Sequence, residues 1–119
     1  MHNIGSIDSI ATVIFLAGQE RFATHGSSFL FHGIAANFQK DTALTLSQIR
    51  ERESSVKEDE NKIARIITER TSLTDQEIHQ LFGQGESKNP EFAKLKGIIT
   101  NIVEATIPDG APIITINVN

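Results

Sequence analysis

From Ile10 to Gly18 the chain is apolar at almost every position, interrupted only by Thr12. A run that is apolar on nearly all faces and closes on a glycine predicts a buried helix over residues 9–18. Its β-branched content leaves a strand open as the alternative. Phe29, Leu30 and Phe31 form a second continuous apolar run, the pattern of a strand covered on both faces. Residues 20–23 and 28–32 are accordingly predicted as short strands, with His25-Gly26-Ser27 as the turn between them. Residues 1–6 are polar apart from Ile4, and residues 33–40 read as a loop.

Residues 42–70 carry a different pattern. Ile49, Val56 and Ile63 recur every seven positions, and Leu46, Ile66 and Ile67 widen the stripe. Nearly everything between is Glu, Lys, Arg, Ser or Asp, which predicts a long solvated helix with one narrow apolar seam. Asp41 or Thr42 could cap it. Such a helix would reach roughly 40 Å, more than a small domain can cover, so part of it should project or meet another subunit. Thr74-Asp75-Gln76-Glu77 has the capping-box pattern and opens a helix through Leu81, with Gly83 and Gly85 bracketing a loop. Asn89-Pro90 reads as cap and first turn of a further short helix ending near Gly97. Residues 98–103 and 113–118 are predicted strands, joined by a turn at Pro108-Asp109-Gly110.

With 119 residues the chain has room for one domain and one modest core. Its net charge of −4 is spread without a basic stripe, which argues against a nucleic-acid partner. There is no cysteine, so thiolate chemistry and a disulfide-stapled scaffold are excluded. The longest apolar stretch is far too short to span a bilayer, and it lacks the charged lead-in and cleavage site of a signal peptide. No membrane association is expected, and a cytoplasmic protein is the default reading. His2, His25 and His79 show no metal-ligand spacing, so neither a metal nor another cofactor is expected.

Two positions carry candidate chemistry. Ser9 lies in Gly5-Ser6-Ile7-Asp8-Ser9-Ile10-Ala11, at the start of the predicted buried helix. Unpaired N–H groups and the positive dipole end would favour an oxyanion there; the plainer alternative is that Ser9 caps the helix. His32 ends a predicted strand and precedes a glycine, well placed to act as a base on a neighbouring element, or else to serve a structural role.

The order of these features resembles the proteolytic subunit of the Clp protease family, in the crotonase-like superfamily. The family's nucleophile run, Gly-x-Ala-Ala-Ser-Met-Ala/Gly-Ala, falls on the frame around Ser9, and its Ala-Gly helix end on Ala17-Gly18. Its Arg-x-Ala-x-Pro-Asn-Ser strand falls loosely on Arg21 to Ser27, and its Met-Ile-His-Gln-Pro on Leu30-Phe31-His32-Gly33-Ile34. The helix from Thr42 corresponds to the handle helix that joins two rings, and Asn89-Pro90-Glu91-Phe92-Ala93 with Gly97 resembles the family's late helix.

The resemblance implies an α/β fold of the crotonase-like type and a serine endopeptidase subunit, ATP-dependent in its family. Ser9 would be the nucleophile and His32 the general base, forming and then hydrolysing an acyl-enzyme on a polypeptide substrate. It also implies a homo-oligomer and an AAA+ unfoldase partner. Three departures qualify it. The family's catalytic aspartate falls where this sequence reads Phe82-Gly83-Gln84-Gly85-Glu86-Ser87-Lys88, so Glu86 is the nearest stand-in, with Gly85 an equal match in alignment. Losing that acid costs on the order of ten-thousandfold in the triad template. Asp8 places a carboxylate directly before the nucleophile, opposing an oxyanion unless it points away. The match covers the family's C-terminal half over a single domain, 1–119, without the half that supplies several βα units and the oxyanion-hole glycines. A catalytically inactive assembly or scaffold protein of the same fold is therefore the alternative, and a helical adaptor built on the long helix a third.

Overall fold

A computed structural model describes residues 1–107 and 109–112. Its elements run β1 (His2–Asn3), β2 (Ser6–Asp8), α1 (Ile10–Leu16), β3 (Phe22–Ala23), β4 (Ser28–Leu30), α2 (Leu46–Arg70), α3 (Asp75–Gln84), β5 (Ser87–Lys88), α4 (Pro90–Leu95) and β6 (Asn101–Ile102). This is a mixed α/β fold with two three-stranded sheets and four helices among the described residues. The first sheet has the order β1-β3-β6 and is parallel throughout. In the second, β2-β4-β5, β2 runs parallel to β4 and β5 antiparallel to it.

β1 and β2 are two pieces of one path, as are β3 and β4. Buried Asn3 holds the two breaks together. Its Nδ2 donates to the Ser28 carbonyl at 2.9 Å, and its Oδ1 accepts the Gly5 N–H at 3.0 Å. The Gly5 carbonyl then accepts the Ser28 N–H at 2.8 Å. A buried amide is tolerated because its polar atoms are answered this way. The polar stretch 1–6 carries no sequence signal for β1 or the start of β2, because strands of two and three residues are defined by partners some twenty residues away and carry no local periodicity.

The core gathers Phe15 and Leu16 of α1, Ala23 and Phe29 of the strands, Ala64 and Ile67 of α2, Ile78 and Leu81 of α3, and Ala93 of α4. Phe15 and Phe29 meet edge to face with ring centroids 5.5 Å apart. The helix expected over residues 9–18 is present but shorter and not buried all round: Ile10 and Ile14 are 57% and 61% exposed on its outer side.

The long helix starts later than Asp41 or Thr42. Asp41 is left-handed at φ 62° and lies five residues before Leu46, and Thr42 is drawn back onto the Gln39 carbonyl. Thr45 and Gln48 form a complete capping box instead. Only Ala64 and Ile67 of α2 are buried, both near its C-terminus. At 25 residues the helix runs about 37 Å, so its N-terminal half extends beyond the core. The capping box at Thr74 and Glu77 forms as the sequence predicts, but α3 continues one turn past Leu81 through Gly83. A glycine inside a helix costs only about 1 kcal/mol, and the stop comes at Gly85, left-handed at φ 60°.

Asn89 caps α4 with Pro90 in its first turn, as expected. The predicted strand 98–103 shrinks to Asn101–Ile102. Ile98 and Ile99 are buried, but both of their N–H groups turn back to the Ala93 carbonyl to close α4. The strand expected over 113–118 lies outside the described residues. No helix among the described residues is long and apolar enough to cross a membrane.

Candidate active site

β2 and β4 are paired in parallel, with Ser6, Ile7 and Asp8 opposite Ser28, Phe29 and Leu30. Ser9 extends this ladder by donating its N–H to the Leu30 carbonyl at 3.0 Å. On the other side of β4, Leu30 pairs with Ser87 and Phe29 with Lys88. Ser9, His32 and the Gly85-Glu86 pair therefore leave the three strands at the same end of the sheet. For β2 and β4 this is the C-terminal end, where ligands bind in open α/β sheets.

Ser9 lies at the junction of β2 and α1 with φ 54° and ψ −124°. That is a strained backbone for any residue but glycine. The plainer reading of Ser9 as a side-chain cap does not hold, because its hydroxyl makes no capping hydrogen bond. The half-buried serine is thus held at a sharp strand-to-helix turn with its hydroxyl uncommitted to the helix. Asp8 does not face it in the manner expected of an opposing carboxylate. Its Oδ1 accepts a hydrogen bond from Ser6 Oγ, back along its own strand, and Ser28 Oγ donates to Ser6 Oγ at 3.3 Å. One turn into α1, the Thr12 hydroxyl is buried without a protein partner.

His32 is exposed, two residues past β4. Its Nδ1 lies 2.8 Å from the Gly33 carbonyl. A carbonyl only accepts, so Nδ1 carries the proton, and in the neutral ring Nε2 is left as the acceptor. No hydrogen bond joins Ser9 to His32 among the described residues; the register brings their backbones to adjacent strand ends. Glu86, the sequence candidate for the acid, is exposed and pairs with Lys88 Nζ at 3.1 Å rather than with His32. The loop after His32 is fixed from two sides. Gly33 N–H donates to the Phe82 carbonyl at 3.3 Å, and Ile34 N–H donates to Glu60 Oε1 at 3.0 Å. Sequence reasoning missed Glu60, which lies among a dozen charged residues of α2 with nothing local to distinguish it.

Beyond this loop, Ile34, Ala36 and Phe38 lie along α2 and with Ile49 and Val56 line an apolar cleft of about 400 Å³. The Arg52 guanidinium stacks 5.7 Å from the Phe38 ring centroid. Among the described residues, no three His, Asp or Glu side chains cluster as metal ligands would.

A serine at a strained β–α turn, a histidine just past the adjoining parallel strand and a long projecting helix are the distinguishing features of this α/β domain. The family model described as Clp protease matches residues 1–106, and the chain belongs to the Clp protease family. No curated protein matches the chain.

Proposed function

We propose that the protein is a serine-type endopeptidase subunit acting on polypeptides through an acyl-enzyme on Ser9. The observation that supports this most is the backbone of Ser9: a strained, non-glycine turn whose hydroxyl does not cap the helix it begins. In this reading Ser9 Oγ attacks the scissile carbonyl carbon while its proton passes to His32 Nε2. That proton then goes to the leaving amine, and water repeats the attack to release the acyl group. Glu86 is the acid closest in register to β4, and serving His32 requires it to turn away from Lys88. The apolar cleft beginning at Ile34 suits an uncharged side chain of a polypeptide substrate. Residues 1–119 act as one domain, and copies associate through the exposed half of α2, whose Leu46 and Ile49 are 62% and 50% exposed.

Labelling with a fluorophosphonate tests this reading. The wild-type chain is expected to label, Ser9→Ala not at all, and His32→Ala far more slowly. Equal labelling of wild type and Ser9→Ala would remove the peptidase assignment. A second reading, a scaffold subunit without turnover, draws on the separation of Glu86 from His32 by its ion pair to Lys88. A defined oligomer that neither labels nor cleaves casein would favour it.

A further inference from the structure

Two hydrogen bonds, joined through one peptide group, lead from His32 to a carboxylate other than Glu86. His32 Nδ1–H donates to the Gly33 carbonyl at 2.8 Å. That carbonyl belongs to the same peptide group as the Ile34 N–H, and this N–H donates to Glu60 Oε1 at 3.0 Å. We infer that Glu60, on α2, is a positioning residue for His32, acting through the Gly33-Ile34 peptide. This assignment rests on the peptidase reading of the site.

A carboxylate accepting the N–H end of a peptide increases the negative charge on its carbonyl end, so the bond from Nδ1–H is strengthened. The effect has the direction needed by a general base. It holds the proton on Nδ1, leaves Nε2 free to take one, and supports the imidazolium formed when it does. Glu60 is free to act this way, being half-buried and in no ion pair among the described residues. Position 33 is also shaped for the contact. A Cβ there would stand 2.6 Å from Glu60 Oε1, the same oxygen that receives the Ile34 N–H. Glycine thus lets the carboxylate reach the peptide, and any larger residue would push it aside. Glu86, in contrast, would take the hydrogen bond from Nδ1–H only by displacing the Gly33 carbonyl.

The test is multiple-bond ¹H–¹⁵N NMR of the His32 ring in the labelled full chain, at a pH where the imidazole is neutral. Nδ1–H is expected to dominate in the wild type. Glu60→Gln keeps an acceptor for the Ile34 N–H but removes the charge, and Gly33→Ala keeps the charge but displaces it. Both are expected to lower the ratio of Nδ1–H to Nε2–H by roughly 1.5-fold and to move the Ile34 amide proton upfield, whereas Glu86→Gln leaves both where they are. Unchanged ratios and amide shifts in Glu60→Gln and Gly33→Ala would overturn the assignment. So would a wild-type ring dominated by Nε2–H, which needs no variant to fold. A shifted ratio with an unlabelled Ser9 upholds Glu60 as the positioning residue and removes the peptidase reading; an unshifted ratio with a labelled Ser9 does the reverse.

Discussion

Ser9 N–H donates to the Leu30 carbonyl at 3.0 Å, so the last bond of the β2–β4 ladder is made by the residue that leaves it. The ladder fixes the N–H side of Ser9 and α1 fixes its carbonyl side, which accepts the Thr12 N–H at 3.0 Å. Between these anchors φ is forced to 54°. A side chain in such a region costs about 1–3 kcal/mol, partly offset in a glycine by its larger loss of chain entropy.

Ser9→Gly is therefore expected to stabilise the fold by about 1 kcal/mol in urea unfolding while abolishing fluorophosphonate labelling. Ser9→Ala keeps the strain and removes a hydroxyl that caps nothing, so its stability stays within about 0.5 kcal/mol of wild type. A loss near 1 kcal/mol on Ser9→Ala would mean that the hydroxyl caps α1 after all.

Arg21 ties the helix ends together. Its Nε donates to the Ile98 carbonyl at 2.7 Å, and its two terminal nitrogens reach the carbonyls of Leu16, Gly18, Gly97 and Arg70. Burial, and secondly the neighbouring Arg70 guanidinium, holds its pKa below the usual arginine value. Arg70 also reaches the Leu16 and Gly18 carbonyls, but those of Gly97 and Ile98 depend on Arg21 alone of the two. Arg21→Met is expected to cost about 2–4 kcal/mol in urea unfolding, because unanswered carbonyls remain at the α4–β6 connection. Arg21→Lys can answer one direction but not the fork, and should fall between Met and wild type. An Arg21→Met variant as stable as wild type would show that the guanidinium is not needed there.

What the sequence made legible was local. Thr74 with Glu77, and Asn89 with Pro90, form helix starts because cap and first turn lie within four residues. The start of α1 beside Ser9 and the strand before His32 were also readable, since each is a short motif. The backbone angle of Ser9, the two-residue strands and the Glu60–Ile34 bond were not. Each is set by a partner far along the chain, 26 residues away in the last case. The apolar run 10–17 looked buried on all sides because composition does not say which face will be covered. Ile10 and Ile14 ended up outside while Phe15 and Leu16 ended up inside.

Glu77 links the start of α3 to the end of α4. Its carboxylate takes a hydrogen bond from Lys96 Nζ and another from Thr74 N–H, and these, in that order, hold its pKa below the usual glutamate value. A depressed folded-state pKa contributes stability that is complete above the unfolded value. That stability fades as pH falls through the folded one. Wild type is therefore expected to exceed Glu77→Gln in stability at neutral pH, with the gap closing below about pH 4.5. Glutamine can still accept the Thr74 N–H, so the variant isolates the charge. Urea unfolding from pH 3 to 7 checks this, and a gap independent of pH would contradict it. Added salt should narrow the gap at neutral pH, since both partners are partly exposed.

The projecting half of α2 carries the last prediction. No residue from Leu46 to Ile63 on this helix is fully buried, yet Leu46 and Ile49 present apolar side chains there and Val56 is half-covered beside the 34–38 segment. If copies associate along this seam, Ile49→Asp with Val56→Asp should lower the light-scattering mass at a given concentration. Covering the remaining exposed half of such side chains is worth roughly 1 kcal/mol apiece, so each change should weaken association by somewhat less than tenfold. Helical content should barely change, because neither position belongs to the buried core. Ile49 and Val56 both also line the apolar cleft, so the change that isolates association is Leu46→Asp alone. A mass unchanged in Ile49→Asp and Leu46→Asp together would place any oligomer interface elsewhere on the molecule.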